Sequence, residues 1–512
     1  MGLLDPLQGS RQYDGSIPSE KSTPRIIFGS GTALGGTTMS STITMDEHGG
    51  ERNLRIDRIS TPDRGRVMIS ASFIPKGTLI YRAVPQAVVC DARNRQRRCG
   101  FCLALLSNTQ SGDSLAGAAA NKSEQSASVH CRGCNEVWYC DEECRAKDWN
   151  TAHELECGFL KRLYHEHGQE NTKESNDDIH LGEQHQRAIG RYKDLDSYDQ
   201  DYCRLLLRVL VFRFKEYLQW PDAIDKDHTR HEVQKQKPLP FADVFDLVEN
   251  RECFSKDKLE GDMTDVARVL DAMQEYLDQN QRTRCSQTQD QGHPVTDGQE
   301  SVPRLTIDEL LGLILKEECN SFGLHEYPTG NPKATSGRVS YGLGLFVRGY
   351  IHSYNHSCAH NLYHVAHNTQ LLFYAARDIL PGEELNIRYM EFESKHRILG
   401  DHAQPLGPEQ ERERRAAFEK RRAYLKAVFH FDCGCPRCMW EFSLDQQPMD
   451  GPPPNDEKQA KEEKFIKEGL LCEQSGCPGY YVPPEVLDII RGESGSRQLW
   501  ECIACGHSTM GG

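Results

Sequence analysis

A chain of 512 residues, 37% hydrophobic and 27% charged, exceeds what one hydrophobic core organises and divides into about three or four packed units joined by polar connections, which excludes a fibrous protein. Its net charge of −15 at pH 7 argues against direct nucleic-acid binding as its main role and suits a basic partner or substrate, although solubility alone explains it equally well. Met1 to Arg11 lacks the apolar run of a signal peptide, no stretch reaches the roughly 18 apolar residues of a membrane span, and Pro6 spoils the myristoylation pattern that Gly2 opens, so the chain is expected inside the cell, away from membranes, in the nucleus, the cytoplasm or both.

Residues 1–52 are rich in Gly, Ser and Thr without periodicity and read as a disordered segment. From Leu54 the pattern turns to β-like runs, Leu54 to Ile59, Arg66 to Ala71 and Thr78 to Val89. Turn chemistry separates them at Pro62-Asp63-Arg64-Gly65 and Pro75-Lys76-Gly77. A Cys/His-dense block follows from Cys99 to Cys157, then a charged stretch, His165 to Asp201, that reads as a linker or surface insertion.

Met263, Val266, Val269, Leu270, Met273, Tyr276 and Leu277 recur at three- and four-residue intervals and predict an amphipathic helix. The polar run Gln279 to Arg304 reads as a flexible insertion. Thr306 and Glu309 form a capping box for a helix through Leu310 to Leu315. Strands return at Val339 to Val347, Leu362 to Ala376 and Glu384 to Tyr389, with a turn at Gly382. Pro408 opens a charged helix running through Val428, and Gln447 to Pro454 is a proline-rich linker. No internal repeat is visible, and the fold class is α+β, multidomain.

The chain has 20 cysteines, and in a reducing compartment such tight pairs report zinc more often than disulfides. Cys99 with Cys102, Cys131 with Cys134, Cys140 with Cys144, and His153 with Cys157 supply ligands for two tetrahedral zincs, whose binding would furnish much of this small module's folding free energy. Cys433, Cys435 and Cys438 lack one ligand for a third metal. Cys472, Cys477, Cys502 and Cys505 have the look of a zinc ribbon around Tyr480, Tyr481 and Trp500, a fourth site, against the alternative of unpaired cysteines in a loose tail. Cys90, Cys203, Cys253, Cys285 and Cys319 are expected to be core or incidental thiols.

The order of the first four pairs, with Trp138-Tyr139-Cys140, resembles the MYND zinc finger. By that resemblance the first and third pairs share one zinc and the second and fourth the other. The segment from Leu103 to His130 is longer than the family's usual loop and is expected to be a disordered excursion. MYND fingers commonly bind proline-containing peptides, which implies partner recruitment, with bracing of the rest of the protein as the alternative.

Asn355-His356-Ser357-Cys358 followed by Asn361, and Gly382-Glu383-Glu384-Leu385 leading to Tyr389, resemble the core motifs of SET-domain methyltransferases. Arg64-Gly65-Arg66, Pro75-Lys76-Gly77 and Cys319-Asn320-Ser321-Phe322 are similar to segments of the SET and MYND (SMYD-type) proteins. The resemblance covers residues 54 to 440, with the finger inserted in the SET sequence. It implies a layout of N-terminal SET part 53–98, finger 99–157, helical insert with flexible linkers 158–318, SET core 319–395, helix and post-SET zinc cluster 396–440, linker 441–466 and ribbon 467–512. The sequence beyond Cys438 is too short for a long helical-repeat lobe, so the chain looks like a fungal-like member without one.

The resemblance further implies S-adenosylmethionine as cofactor, with Gly65, Arg66, Asn320, Asn355 and His356 holding it, Phe431 packing on its adenine, and Cys358 completing the post-SET cluster. Tyr389 would be the catalytic tyrosine of a narrow lysine channel shared with Phe429. The chemistry agrees: methyl transfer to an amine mainly requires alignment of donor and acceptor, and a dry channel favours the neutral lysine. Two departures are noted, Val67 for a second glycine of the cofactor turn and Phe429 for a second channel tyrosine. The expected function is a protein-lysine N-methyltransferase acting on a histone or non-histone protein. The alternative is a non-catalytic MYND adaptor with a degenerate SET fold. DNA binding through the zinc modules is not expected, since the chain is acidic overall and the basic run Arg412 to Arg422 is offset by Glu409, Glu411, Glu413 and Glu419.

Overall fold

The computed structural model describes residues 54–61, 64–106, 129–165, 181–218, 241–289, 301–326, 339–347, 352–390, 408–445, 470, 472–474, 477, 479–492 and 498–510. The expected N-terminal disorder and most of the long finger loop lie outside these residues, as does the run from Gln447 to Pro454.

The chain opens with β1 (Ile56–Thr61), β2 (Gly65–Ser70), β3 (Leu79–Ala83) and β4 (Ala87–Cys90). The finger contributes β5 (Val129–His130), β6 (Trp138–Tyr139), α1 (Glu142–Asp148) and α2 (Glu154–His165). Helices α3 (Glu183–Arg191), α4 (Ser197–Tyr217), α5 (Ala242–Phe245), α6 (Lys256–Glu260), α7 (Asp262–Gln289) and α8 (Ile307–Asn320) follow. Then come β7 (Ser321–Glu326), β8 (Val339–Leu345), β9 (Asn355–His356), β10 (Leu362–His367), β11 (Gln370–Ala375) and β12 (Asn386–Ile387). The C-terminal part carries α9 (Pro408–Phe429), α10 (Pro436–Asp445), β13 (Tyr481–Val482), α11 (Pro484–Arg491), β14 (Leu499–Cys502) and β15 (Ser508–Met510).

Short sheets, not one large one, form the frame: β1-β2, β10-β11-β3, β4-β8-β7 and the parallel pair β12-β9. The run Gln-Leu-Leu-Phe-Tyr-Ala of β11 is almost wholly apolar because both its faces are covered. Leu371, Phe373 and Ala375 enter a core shared with Ile56, Met68, Ile80 and Ile387, while Leu372 and Tyr374 point the other way into a second cluster with Tyr480, Tyr481, Val486 and Trp500. The C-terminal three-stranded sheet β13-β14-β15 is thus seated on the outer face of β10-β11-β3. Gly77, at φ +81°, makes the close approach possible: a Cβ there would lie 2.5 Å from Trp500 Cζ2.

A larger core joins the finger to the helices, with Leu205, Val209, Leu270, Met273 and Ile314 fully buried. Inside it Arg208 donates to both carboxylate oxygens of Glu156 (2.9 and 2.8 Å) and pairs with Asp148 (3.2 Å), which accepts from the Tyr139 hydroxyl at 2.9 Å. Burial alone would lower the Arg208 guanidinium, but the two carboxylates outweigh it and hold the charge.

Three readings need correction. Residues 181–201 are not a linker: α3 and the start of α4 lie there, with Ala188, Ile189 and Tyr192 buried under a charged outer face. The insertion placed from Gln279 begins too early, since α7 continues to Gln289, and the linker placed from 441 begins with the last turns of α10, which run to Asp445. In each case charge on the solvent side masked an apolar side or a continuing hydrogen-bond ladder. The run Leu362 to Ala376 resolves into the hairpin β10-β11, turning at Asn368 with φ 53°.

Candidate functional site

Two segments meet at β9 and β12. β9 pairs in parallel with β12, Ser357 N–H donates to Ile387 O at 3.0 Å, and Asn361 bridges them, its Nδ2 donating to Glu384 O (2.9 Å) and its Oδ1 accepting from Asn386 N–H (2.8 Å). The turn that opens β2 is tied to this pair. Asn355 Nδ2 donates to Arg64 O and Arg66 O, both at 3.1 Å, and to Glu384 Oε1 at 3.3 Å. Arg64 Nε pairs with the same carboxylate at 2.8 Å. Gly65 sits in the turn at φ +65°, and a Cβ added there would meet nothing within 4 Å, so open space lies against the backbone where a ligand can approach. Val67, where the chain departs from the resembled turn, is buried, 2% exposed.

Tyr389 stands beside this turn. Its hydroxyl donates to Tyr354 O at 3.0 Å and its N–H to His356 Nδ1 at 3.1 Å. Burial raises the phenol above its ordinary range, so it stays neutral and donates. Around it lie Phe429 (ring centroids 5.2 Å apart), His356 (5.4 Å) and Phe431 (6.3 Å, edge-on). The fold therefore gathers Gly65, Arg66, Asn355, His356, Tyr389, Phe429 and Phe431, from four separate stretches of chain, around one partly aromatic recess.

The structure refines how two of these residues can act. Both ring nitrogens of His356 are engaged inside the protein, as is the amide nitrogen of Asn355, so these side-chain atoms hold the site's own walls. Sequence reasoning also missed a strap, residues 246–254. Arg66 donates to Asp246 O at 2.7 Å and Oδ2 at 2.9 Å, Asn320 Nδ2 donates to Val248 O at 2.7 Å, and Phe254 packs edge-on against His430 at 4.8 Å. Arg66 and Asn320 thus meet through this strap. Its only local signal is Asn250, in the left-handed region at φ 45°.

The sixteen expected metal ligands form four groups of four: Cys99, Cys102, Cys140 and Cys144; Cys131, Cys134, His153 and Cys157; Cys358, Cys433, Cys435 and Cys438; Cys472, Cys477, Cys502 and Cys505. Within each group the ligand atoms lie within 4.8 Å of one another. Sulfur pairs such as Cys131–Cys157 at 3.5 Å and Cys102–Cys140 at 3.6 Å approach the edge of about 3.8 Å expected for a tetrahedron with Zn–S bonds of about 2.3 Å. Thiolate and imidazole donors at this spacing are compatible with zinc. Phe431 stands just ahead of Cys433 in the chain, so the third group fixes that wall of the recess to Cys358.

Among the described residues, no helix is long and apolar enough to cross a membrane. The model of the SET domain family matches residues 65–390. The chain is similar to a SET and MYND domain-containing protein of Dictyostelium discoideum, 23% identical over 74% of this chain and 80% of that protein. A second protein of that name in the same organism is 23% identical over 75% of this chain and 60% of its own length. The Homo sapiens protein named histone-lysine N-methyltransferase SMYD3 is 21% identical over 75% of this chain and 61% of that protein.

Proposed function

Since the chain belongs to the SET domain family and is of the SET and MYND type, we propose that it is an S-adenosylmethionine-dependent protein-lysine N-methyltransferase. Its substrate would be a lysine of a histone or of another protein, met in the nucleus, the cytoplasm or both. The observation that carries the reading is the recess at Tyr389, walled by Phe429 and Phe431, with the Gly65 turn and its open space tied beside it by Asn355.

S-adenosylmethionine, when bound, supplies a methyl group activated on a sulfonium. The backbone of the Gly65 turn and of β9, with the backbone at Arg66 and Asn320, whose side chains are taken up by the strap, would hold its polar groups, and Phe431 would cover its adenine. The chain's residues then supply alignment. Aromatic walls exclude water and favour a neutral lysine amine, and the Tyr389 hydroxyl, fixed by Tyr354 O, orients it. Phe429 offers no second hydroxyl, which leaves more room at the amine and bears on how many methyl groups are added. Three zincs, with a fourth in the ribbon, would brace these walls, and the finger would recruit proline-containing peptides.

Transfer of labelled methyl from S-adenosylmethionine to recombinant histones and a lysine-peptide array tests the proposal. Wild-type protein is expected to label a lysine substrate, and Tyr389→Phe to be slower by about tenfold or more, a change of roughly 1.4 kcal/mol in barrier. Equal rates in both, or no transfer by folded protein that binds the donor, would sink it.

A further inference from the structure

His356 makes two hydrogen bonds that lead in opposite directions. Its Nδ1 accepts the backbone N–H of Tyr389 at 3.1 Å, and its Nε2 lies 3.2 Å from Sγ of Cys358. A neutral imidazole carries one proton, and Nδ1 is the acceptor, so the proton sits on Nε2 and is donated to the sulfur. The ring is 2% exposed and packs against Tyr389 at 5.4 Å and Phe431 at 5.9 Å. Cys358 in turn lies 3.5 Å from Cys438 and 4.0 Å from Cys433.

These contacts close a loop. Tyr389 comes from the segment after β12, whereas Phe429 and Phe431 come from the end of α9 and the chain leading to Cys433. Among the described residues, no backbone ladder joins those two segments. The cysteine cluster fixes the second segment to Cys358, and the His356 side chain adds to the β9–β12 ladder a direct link from Cys358 to Tyr389. We propose that the His356 side chain is a positioning residue: it couples the four-cysteine cluster to Tyr389 and so sets the distance between the two walls of the recess. Polarisation through the N–H···S bond would also moderate the thiolate's charge and hold its metal more firmly.

This inference rests on the methyltransferase reading for one of its readouts and stands apart from it for the other. The test uses full-length, zinc-loaded protein with His356→Phe, which keeps the ring bulk and loses both bonds, and His356→Gln, whose amide offers one acceptor and one donor. Zinc release to a chelating dye, the calorimetric dissociation constant for S-adenosylmethionine, and kcat are measured on each.

The expected result for His356→Phe is release of one zinc per chain at least fivefold faster, a dissociation constant within about threefold of wild type because backbone contacts remain, and kcat at least tenfold lower. His356→Gln should restore release and kcat to within about threefold. Unchanged release in His356→Phe overturns the proposal, as does a loss of donor binding proportional to the loss of kcat, which would make the ring a direct cofactor ligand. Failure of the Gln variant to recover either quantity overturns it too. If the Phe variant does not fold, His356→Asn, which reaches only the Nδ1 position, should release that zinc faster, and wild-type release from it would overturn the proposal. If wild type transfers no methyl group, the functional reading fails while zinc release still decides the coupling.

Discussion

Replacing Gly77 with Ala separates two physical costs that the structure superimposes. The residue sits at φ +81°, where an L side chain is strained by roughly 1–2 kcal/mol. Its new Cβ would also stand 2.5 Å and 2.8 Å from Cζ2 and Cη2 of Trp500, which is 9% exposed and hemmed in by the ribbon core. Displacing a packed ring costs roughly a further 1–3 kcal/mol. Gly77→Ala should therefore destabilise the contact between ribbon and sheet by about 2–5 kcal/mol, and by only about 1–2 kcal/mol in a Trp500→Leu background, where the clash is gone. Because the chain has several packed units, a single melting temperature is a poor gauge, and amide hydrogen exchange along β10 and β11 reads the local opening free energy. An Ala cost that is the same with the indole ring present and with it removed would show that the ribbon is not seated on this turn, and would refute the reasoning.

Arg208→Met should cost about 3–5 kcal/mol, because Glu156 and Asp148 are left charged and buried without their cation; chemical denaturation followed at the finger checks it, and a neutral result would contradict the buried pairing. Burial, with Glu318 beside it, raises the Glu317 carboxyl to about 8 from 4.5. The folded state then holds a proton that the unfolded chain has released, so stability falls as pH rises through that window, at up to roughly 1.4 kcal/mol per pH unit. Glu317→Gln should lose this component of the slope, and parallel stability–pH curves for the two proteins would rule it out. Cys438→Ser should weaken S-adenosylmethionine binding by about tenfold or more, roughly 1.4 kcal/mol, while the far-ultraviolet dichroism changes little, since the cluster fixes Phe431 and not the sheets; an unchanged dissociation constant would separate the cluster from the recess.

Much of this architecture can be read from residues that carry their own spacing. The cysteine pairs announce their groups because a tetrahedral metal demands few residues between paired ligands, and the strings around Asn355 and Glu384 stand out as dense polar runs between apolar strands. The doubly covered β11 is visible as a nearly unbroken apolar run. What stays hidden acts through the backbone or through direction. The strap offers Arg66 and Asn320 the carbonyls of Asp246 and Val248, groups that any residue possesses. The amide nitrogen of Asn355 and the ring of His356 turn toward protein partners, which composition does not reveal. Helix α3 escapes notice because its buried side is short and its exposed side dense in charge. The seat of the ribbon depends on Gly77 and Trp500 meeting across hundreds of residues, a contact without local pattern.

The most direct measurement is calorimetric titration of zinc-loaded protein with S-adenosylmethionine, alongside Asn355→Ala. The amide of Asn355 is what ties the Gly65 turn to β9. The account expects one donor molecule bound per wild-type chain and affinity at least tenfold weaker in the variant, equivalent to about 1.4 kcal/mol or more. Absence of binding by folded, zinc-loaded wild-type protein would contradict it and leave a MYND-bearing adaptor in its place.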